Sequence, residues 1–586
     1  VPFFVSFIKF YFEMAILQAI HNIAEIFSKK NVKTAILCPG SRSAALTISI
    51  VRHPDIETFS ISDERSAGFI GLGMAQVTGE TVALVCTSGT AAYNFAPAIA
   101  EAFFQEIPLI ILTADRPAEW INQYDGQTIF QREIYGKHVK KSFELPSEYS
   151  NADSVWHIER IVSEAINLSQ VHPKGPVHIN IPIREPFYPI ADEEITFKQN
   201  VRIITNVEIE KKLSNEFWNN FKDIWQSCEN KLIVVGHRQS SNLNETLEKF
   251  SCEICIPVIA DIISNVNNTD SILADVFLSS KNDIFHNKLK PDLLITCGKS
   301  IISKNLKIFI RNNKPTYHFH IQENPELIDS FQTLTHKVEV SPEYFFKQLF
   351  EDLDFLSFKE GDEEVDNQYF EIWNEASVKA KYKLNSFLNN SEYCEFKVIR
   401  NVLDKLPENS IFHIANSMVV RYSNLIGLEK GKNIEVFANR GTSGIDGSLS
   451  SALGNALKTD KIVTCLIGDM SFLYDRNAFW NTYMPDNLRV ILINNHGGNI
   501  FRIIDGSNKQ PELGEYFETK QNISAEYLCK ENDLEYHKVF DEISLDNALN
   551  LLHQKTSRPV IIEIEVDGLQ NVQVFNDYKN LFTDFS

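Results

Sequence analysis

Short apolar runs alternate with longer stretches of helical periodicity along most of the chain, and small or polar residues punctuate the joins. An apolar run bounded by turn signals reads as a buried strand, whereas apolar positions recurring every third or fourth residue read as a helix. On that pattern the first part of the chain predicts strands over 34–38, 81–86 and 108–113, with helices over 15–28, 43–52, 64–77 and 90–104. A second set of strands is expected at 231–236, 256–260, 293–297 and 316–321, and a third part holds 462–467 and 489–493. Strands that alternate with helices build βαβ units on parallel sheets. The expected fold class is therefore α/β, with three consecutive α/β domains around central, mostly parallel sheets, over 14–195, 200–355 and 370–586. The acidic stretch Lys359-Glu360-Gly361-Asp362-Glu363-Glu364 marks an interdomain linker within 355–370. No short-period repeat or low-complexity tract competes with this reading.

Composition agrees and narrows the function classes. A chain of 586 residues is too long for one core. At 44% hydrophobic and 11% aromatic it can fill several, which excludes a disordered chain. The formal charge of −21 argues against nucleic acid and anionic membrane as partners. Anionic small molecules need only a local group of arginines and stay open. The nine cysteines are odd in number and several lie in apolar runs, which suits reduced, buried thiols in a cytoplasmic protein. Cys252-x-x-Cys255 has no second pair and reads as a buried strand edge rather than a zinc or redox centre. Residues 1–12 are apolar but broken by Lys9 and too short to span a bilayer, so no membrane span is expected. Met14 is the expected natural start.

Candidate chemistry concentrates after two of the expected strands. Gly468-Asp469-Met470-Ser471 follows one, and Asn494-Asn495-His496-Gly497-Gly498 follows the next. Either segment alone is ordinary turn chemistry. Separated by one helix and one return strand, they would deliver ligands side by side at the C-terminal edge of a parallel sheet, where such sheets bind ligands. Asp469 offers a carboxylate, Asn495 an amide oxygen and Gly497 a backbone carbonyl. With two phosphate oxygens and a water these would complete an octahedron around Mg²⁺ (or Mn²⁺). This pairing resembles the metal-diphosphate motif of the thiamine-diphosphate enzymes.

Other segments carry anion-binding character. Cys38-Pro39-Gly40-Ser41-Arg42-Ser43 joins a strand to a helix start, and Arg42 adds a bidentate carboxylate partner. Asp63-Glu64-Arg65-Ser66 opens the next helix, with Asp63 as N-cap and Glu64 in the first turn. Thr87-Ser88-Gly89-Thr90-Ala91, Thr113-Ala114-Asp115-Arg116-Pro117, Asn416-Ser417-Met418-Val419-Val420-Arg421 and Asn439-Arg440-Gly441-Thr442-Ser443-Gly444-Ile445-Asp446-Gly447 complete the set. Together these segments resemble the 2-succinyl-5-enolpyruvyl-6-hydroxy-3-cyclohexene-1-carboxylate synthase family of menaquinone biosynthesis, from about Met14 onward. The middle part matches more weakly, through Pro257-Val258-Ile259-Ala260-Asp261 and Pro291-Asp292-Leu293.

The resemblance implies a thiamine-diphosphate-binding fold of pyrimidine, middle and diphosphate domains, with thiamine diphosphate and Mg²⁺ (or Mn²⁺) as cofactors. It implies decarboxylation of 2-oxoglutarate and 1,4-addition of the succinyl unit to isochorismate. Glu64 would be the catalytic carboxylate at the cofactor pyrimidine N1′. Ser41, Arg42, Arg116, Gln127, Lys304, Arg421 and Arg440 would surround the substrates. Ser417, Gly468, Asp469, Met470, Ser471, Asn495, Gly497 and Ile500 would contact the cofactor, and Ile445 would support its bent conformation. The family further implies a homodimer or homotetramer with the active site at the subunit interface. Two positions depart from the family pattern: Gly126, before Gln127, where relatives often carry Asn or Pro, and Asn305, after Lys304, where some carry a second basic residue. Another thiamine-diphosphate-dependent 2-oxoacid decarboxylase or carboligase, and a non-catalytic cofactor-binding relative, remain the alternatives.

Overall fold

The computed structural model describes residues 18–149, 151–185, 187–188, 195–240, 242–266, 272–357 and 368–586. The expected start at Met14, the apolar stretch before it and most of the expected linker lie outside these residues. The described chain builds three parallel sheets. The first contains β1 (Thr34–Leu37), β2 (Glu57–Ser60), β3 (Val82–Cys86), β4 (Leu109–Asp115), β5 (Ser142–Glu144) and β6 (Val177–Pro182), in the order β2-β1-β3-β4-β6-β5. The second contains β7 (Lys231–Val235), β8 (Val258–Ala260), β9 (Leu293–Cys297), β10 (Tyr317–Ile321) and β11 (His336–Val338), in the order β11-β10-β9-β7-β8. The third contains β12 (Ile411–Ile414), β13 (Glu435–Phe437), β14 (Val463–Gly468), β15 (Leu488–Asn494), β16 (Glu535–Val539) and β17 (Val560–Glu565), in the order β13-β12-β14-β15-β17-β16.

The first and third sheets share one strand order, counted from their own first strands. In each, the order reverses beside the first strand, which opens a crevice at the C-terminal edge. The expected strands are present, with their ends within two residues of those expected. Their apolar runs are continuous because helices cover both faces, and β3, β4, β6 and β15 are buried at every position. β2 escaped the sequence pattern because it is a short edge strand with one buried residue, Phe59. The helix expected over 90–104 is two helices, Ala91–Asn94 and Ala96–Gln105. Pro97 explains the break: its ring clashes with a carbonyl four residues back, yet it is tolerated in a first turn.

Packing divides the described residues into two compact units that cut across the linear order. One holds the described residues to Glu208 together with Asn439–Asp460 and Tyr474–Pro485. The other holds Ile209–Ala438, Lys461–Leu473 and Asp486–Ser586, and so both the second and third sheets. All nine cysteines are free, and seven of them are buried. No helix among the described residues is long and apolar enough to cross a membrane.

Candidate active site

In the first unit the loops after β1, β2, β3 and β4 leave the same edge of one parallel sheet, because every pair in it runs in the same direction. They carry Ser41 and Arg42, Glu64, Thr87 to Gly89, and Arg116 respectively. Arg42 is buried; one guanidinium nitrogen donates to Ile183 O at 3.1 Å, and the group lies 4.3 Å over the Phe187 ring. Its Nε is buried with no acceptor among the described residues. Burial lowers the affinity of this guanidinium for its proton, and the nearby Arg116 charge acts in the same direction. Two cations whose charges act on one another suit an anion with more than one carboxylate. Arg116 also pairs with Asp125. Gln127 is exposed, with φ 56°, and its backbone lies against Gly89: a Cβ added there would sit 3.4 Å from Gln127 Cα. Sequence reasoning missed the fully buried Gln131, which accepts from Gly89 N at 2.8 Å and donates to Ala114 O and Asn180 Oδ1 at 3.1 and 3.0 Å. It ties the loop after β3 to β4.

Glu64 opens the helix Glu64–Thr78, and Asp63 is its N-cap, accepting from Arg65 N and Ser66 N at 2.9 and 3.1 Å. The cap fixes where Glu64 emerges, half-buried, with Asn94 Nδ2 3.4 Å from its Oε2. Asn477 Nδ2 holds the other Asp63 oxygen at 2.7 Å. The same helix packs backbone to backbone on Ser448–Ala456. A Cβ on Gly73 would lie 2.0 Å from Ser451 O, and one on Gly454 2.1 Å from Ile70 O, so only glycine permits the contact. The loop preceding Ser448 carries Arg440 and the exposed Ile445, and thus sits in the same unit as Glu64.

That loop is held by a carboxylate the sequence did not single out. Glu101, 1% exposed, accepts from Gly441 N at 2.6 Å and Thr442 N at 2.7 Å, and from the Thr442 hydroxyl. Gln105 also donates to it. Glu101→Ala would take the acceptor from two part-buried backbone donors, Gly441 N and Thr442 N, each at a cost of about 0.5–1.5 kcal/mol. The expected result is a lower thermal unfolding midpoint and a raised KM, with Glu101→Gln losing less because it keeps one acceptor oxygen.

In the second unit β14 and β15 are parallel neighbours, with Gly468 opposite Ile493. Their ends therefore place Asp469 beside the Asn494-Asn495 pair. Asp469 is 4% exposed; Oδ1 accepts from Met470 N and Oδ2 from Gln521 Nε2, both at 2.7 Å, and the Gly497 amide also bonds to this carboxyl. Asn494 faces away from any ligand role. It donates to buried Glu563 at 2.6 Å and accepts from Gln521 Nε2 at 3.2 Å, so it braces the glutamine that braces Asp469. Asn495 donates through Nδ2 to Glu395 Oε2 at 3.2 Å, while its Oδ1 is buried with no partner. The Gly497 carbonyl accepts from Asn499 N at 2.9 Å, which leaves its second lone pair. Gly497 has φ 151°, and a Cβ there would lie 2.8 Å from Glu518 O.

Charge points the same way. Burial raises the Asp469 carboxyl above the usual range, and it pushes Glu395 up to about 7, with the neighbouring Asp469 charge adding to the effect. Two buried carboxylates, one of whose charge acts on the other, are relieved by a cation. Among the described residues no cluster of three or more His, Cys, Asp or Glu is placed to hold a metal. A divalent ion here would instead use Asp469, the unpartnered Asn495 oxygen and the Gly497 carbonyl, a hard oxygen set that fits Mg²⁺ or Mn²⁺.

Ser417 caps the helix Met418–Ile426 after β12 with φ 76°, a backbone state that costs a non-glycine residue about 1–3 kcal/mol. Arg421, one turn on, donates to Ser417 O. It lies close enough to Asp275 for its charge to offset part of the burial that raises that carboxyl. Asp275 also accepts from Ser303, the N-cap of the helix that Lys304 opens, and from Asn305 N at 3.0 Å. The charges of Lys307 and Arg421 both act on this one acidic side chain, whose Ser303 partner precedes Lys304. Asn305 turns inward to Asp275, donating to its carbonyl at 2.9 Å, in place of a second basic residue. Met470 and Ile500 stand half-buried in the loops beside Asp469 and Asn495, and Ser471 is buried. The predicted residues fall into two sets: Ser41, Arg42, Glu64, Arg116, Gln127, Arg440 and Ile445 in the first unit, and the remainder in the second.

Residues 18–139 match the family model described as thiamine pyrophosphate enzyme, N-terminal TPP binding domain, and residues 205–414 match the middle domain of thiamine pyrophosphate enzymes. A relative from Cytophaga hutchinsonii, named 2-succinyl-5-enolpyruvyl-6-hydroxy-3-cyclohexene-1-carboxylate synthase, is 43% identical over 96% of this chain and 98% of its own length. The chain belongs to this synthase family. Relatives from Flavobacterium johnsoniae (38% identical, 95% of this chain and 97% of theirs) and Porphyromonas gingivalis (34%, 96% and 96%) carry the same synthase name. The positions missed by the sequence reading of this synthase-family chain were Glu101, Gln131, Glu395 and Gln521. Each is a polar residue whose partner is remote in sequence, and no spacing rule announces it.

Proposed function

We propose that the protein is a thiamine-diphosphate-dependent C–C bond-forming transferase that decarboxylates 2-oxoglutarate and adds the succinyl unit 1,4 to isochorismate, in menaquinone biosynthesis. The near full-length match to the Cytophaga hutchinsonii synthase carries this reading. Arg42 and Arg116, whose charges act on one another, support it locally, since both proposed substrates bear carboxylates. We further propose that domains over 14–195, 200–355 and 370–586 act in a cytoplasmic homodimer or homotetramer, with the active site at the subunit interface. Asp469, Asn495 and Gly497 would hold Mg²⁺ or Mn²⁺, with Gly468, Met470, Ser471 and Ile500 lining the diphosphate.

When bound, thiamine diphosphate supplies an electron sink for cleavage beside a ketone. Glu64 would share a proton with the pyrimidine N1′ and so set the protonation of the aminopyrimidine. Ile445 would bear on the cofactor and hold it bent, with Ser417 nearby. Ser41, Arg42, Arg116, Gln127, Lys304, Arg421 and Arg440 would orient the carboxylates of donor and acceptor, a contribution of position and electrostatics. The test is to incubate the purified protein with thiamine diphosphate, Mg²⁺, 2-oxoglutarate and isochorismate and follow products by mass spectrometry. The succinylated adduct is expected. Turnover of pyruvate without turnover of 2-oxoglutarate would instead make it a different carboligase or decarboxylase.

A further inference from the structure

An asparagine presents either an oxygen or an NH₂ group to a ligand, and the two ends exchange by a half-turn about one bond. A divalent cation accepts only the oxygen. Something must therefore choose the orientation of Asn495, and the choice is visible in the second unit. Asn495 Nδ2 donates to Glu395 Oε2 at 3.2 Å, which leaves Oδ1 buried and unpartnered. Glu395 is 2% exposed and stands at the start of the helix Glu395–Asp404. It is itself clamped by Asn571, 3% exposed, whose Oδ1 accepts from Glu395 N at 2.8 Å and whose Nδ2 lies 3.4 Å from Glu395 Oε2. Asn571 sits on the helix Gly568–Phe582, so three separate elements meet at one carboxylate. Turning the amide over would set its oxygen against the carboxylate oxygen and point NH₂ at the place a cation would occupy.

We infer that Glu395 is a positioning residue that fixes the Asn495 amide with its oxygen toward the divalent metal, an inference that rests on the metal reading of Asp469 and Asn495. The carboxylate need not touch metal or substrate. It acts by accepting from one end of the amide only, as outer-shell partners do when they orient metal ligands.

An exchange of side chains tests this. Mn²⁺ binding is followed by electron paramagnetic resonance with thiamine diphosphate present, and thiamine diphosphate binding by calorimetry at fixed Mn²⁺. Glu395→Gln is isosteric but loses the preference, since its own amide can meet either end of Asn495. It is expected to weaken Mn²⁺ retention roughly 10–100-fold. Asn495→Asp sets a carboxylate against Glu395 and should weaken it as well. The double variant Glu395→Gln/Asn495→Asp restores the pairing, with the amide donating and the carboxylate offering oxygen whichever way it turns. Its Mn²⁺ affinity should return to within a few-fold of the parent. Unchanged binding in Glu395→Gln, or a double variant no better than the worse single one, would overturn the inference. Metal-free unfolding midpoints separate a structural role: if they fall in step with affinity in every variant, Glu395 merely supports the fold and the inference fails. If Asp469→Ala binds Mn²⁺ and thiamine diphosphate like the parent, the metal reading itself has failed, a distinct result.

Discussion

Asp469→Ala is expected to abolish Mg²⁺-dependent retention of thiamine diphosphate. Asp469 is the only charged protein group in the proposed oxygen set, and its position is imposed by Met470 N, Gln521 Nε2 and the Gly497 amide. Removing it takes away the one formal charge that the protein supplies, since its other ligands are an amide and a carbonyl oxygen. Loss of an outer-shell partner alone costs about 10–100-fold in metal affinity, so loss of this ligand should exceed about 100-fold. Calorimetry of thiamine diphosphate against the metal-loaded variant measures it, with metal-free unfolding as the control for folding. Retained affinity at parental strength would refute the assignment of Asp469 to the metal.

Glu64→Gln is expected to separate cofactor binding from turnover. The substitution keeps size and helix position, and Asp63 still caps the helix. Diphosphate binding in the second unit's oxygen set should stay within a few-fold of the parent. Turnover should fall roughly 10²–10⁴-fold, the range attributed to a positioned acid–base group. Exchange of the cofactor C2 proton with deuterium, followed by magnetic resonance, should slow in parallel. Near-parental turnover would remove Glu64 from the proton-transfer role, whatever the cofactor affinity.

Both assignments were legible in local chemistry. Asp63 announced a helix start, and the structure has it capping that helix, so Glu64 could be placed from local chemistry alone. The ends of β14 and β15 were equally plain, because an apolar run followed by Gly-Asp or Asn-Asn marks a strand and its exit. What Asn494 does was not plain. It stands next to Asn495 in one Asn-Asn pair, yet it braces Gln521 and Glu563, because successive residues at a strand end point to opposite sides. Asn305 shows the same limit: the sequence marks a missing cation, while the structure shows the side chain bound to Asp275. Nor did the chain reveal that its first and third sheets share a strand order, since topology recurs here without a short repeat.

Sequence by itself determined the α/β class, the strands that end at the candidate site, the capped position of Glu64 and the family to which the chain is related. These depend on periodicity and short-range capping, which act over a few residues. Tertiary structure alone decided which polar groups hold the site residues in place. Glu101 reaches Gly441 and Thr442, Glu395 reaches Asn495, and Gln521 reaches Asp469, across separations that the chain closes only by folding. A buried carboxylate or amide must find partners or lose the free energy of its hydration, and those partners lie wherever packing brings another element.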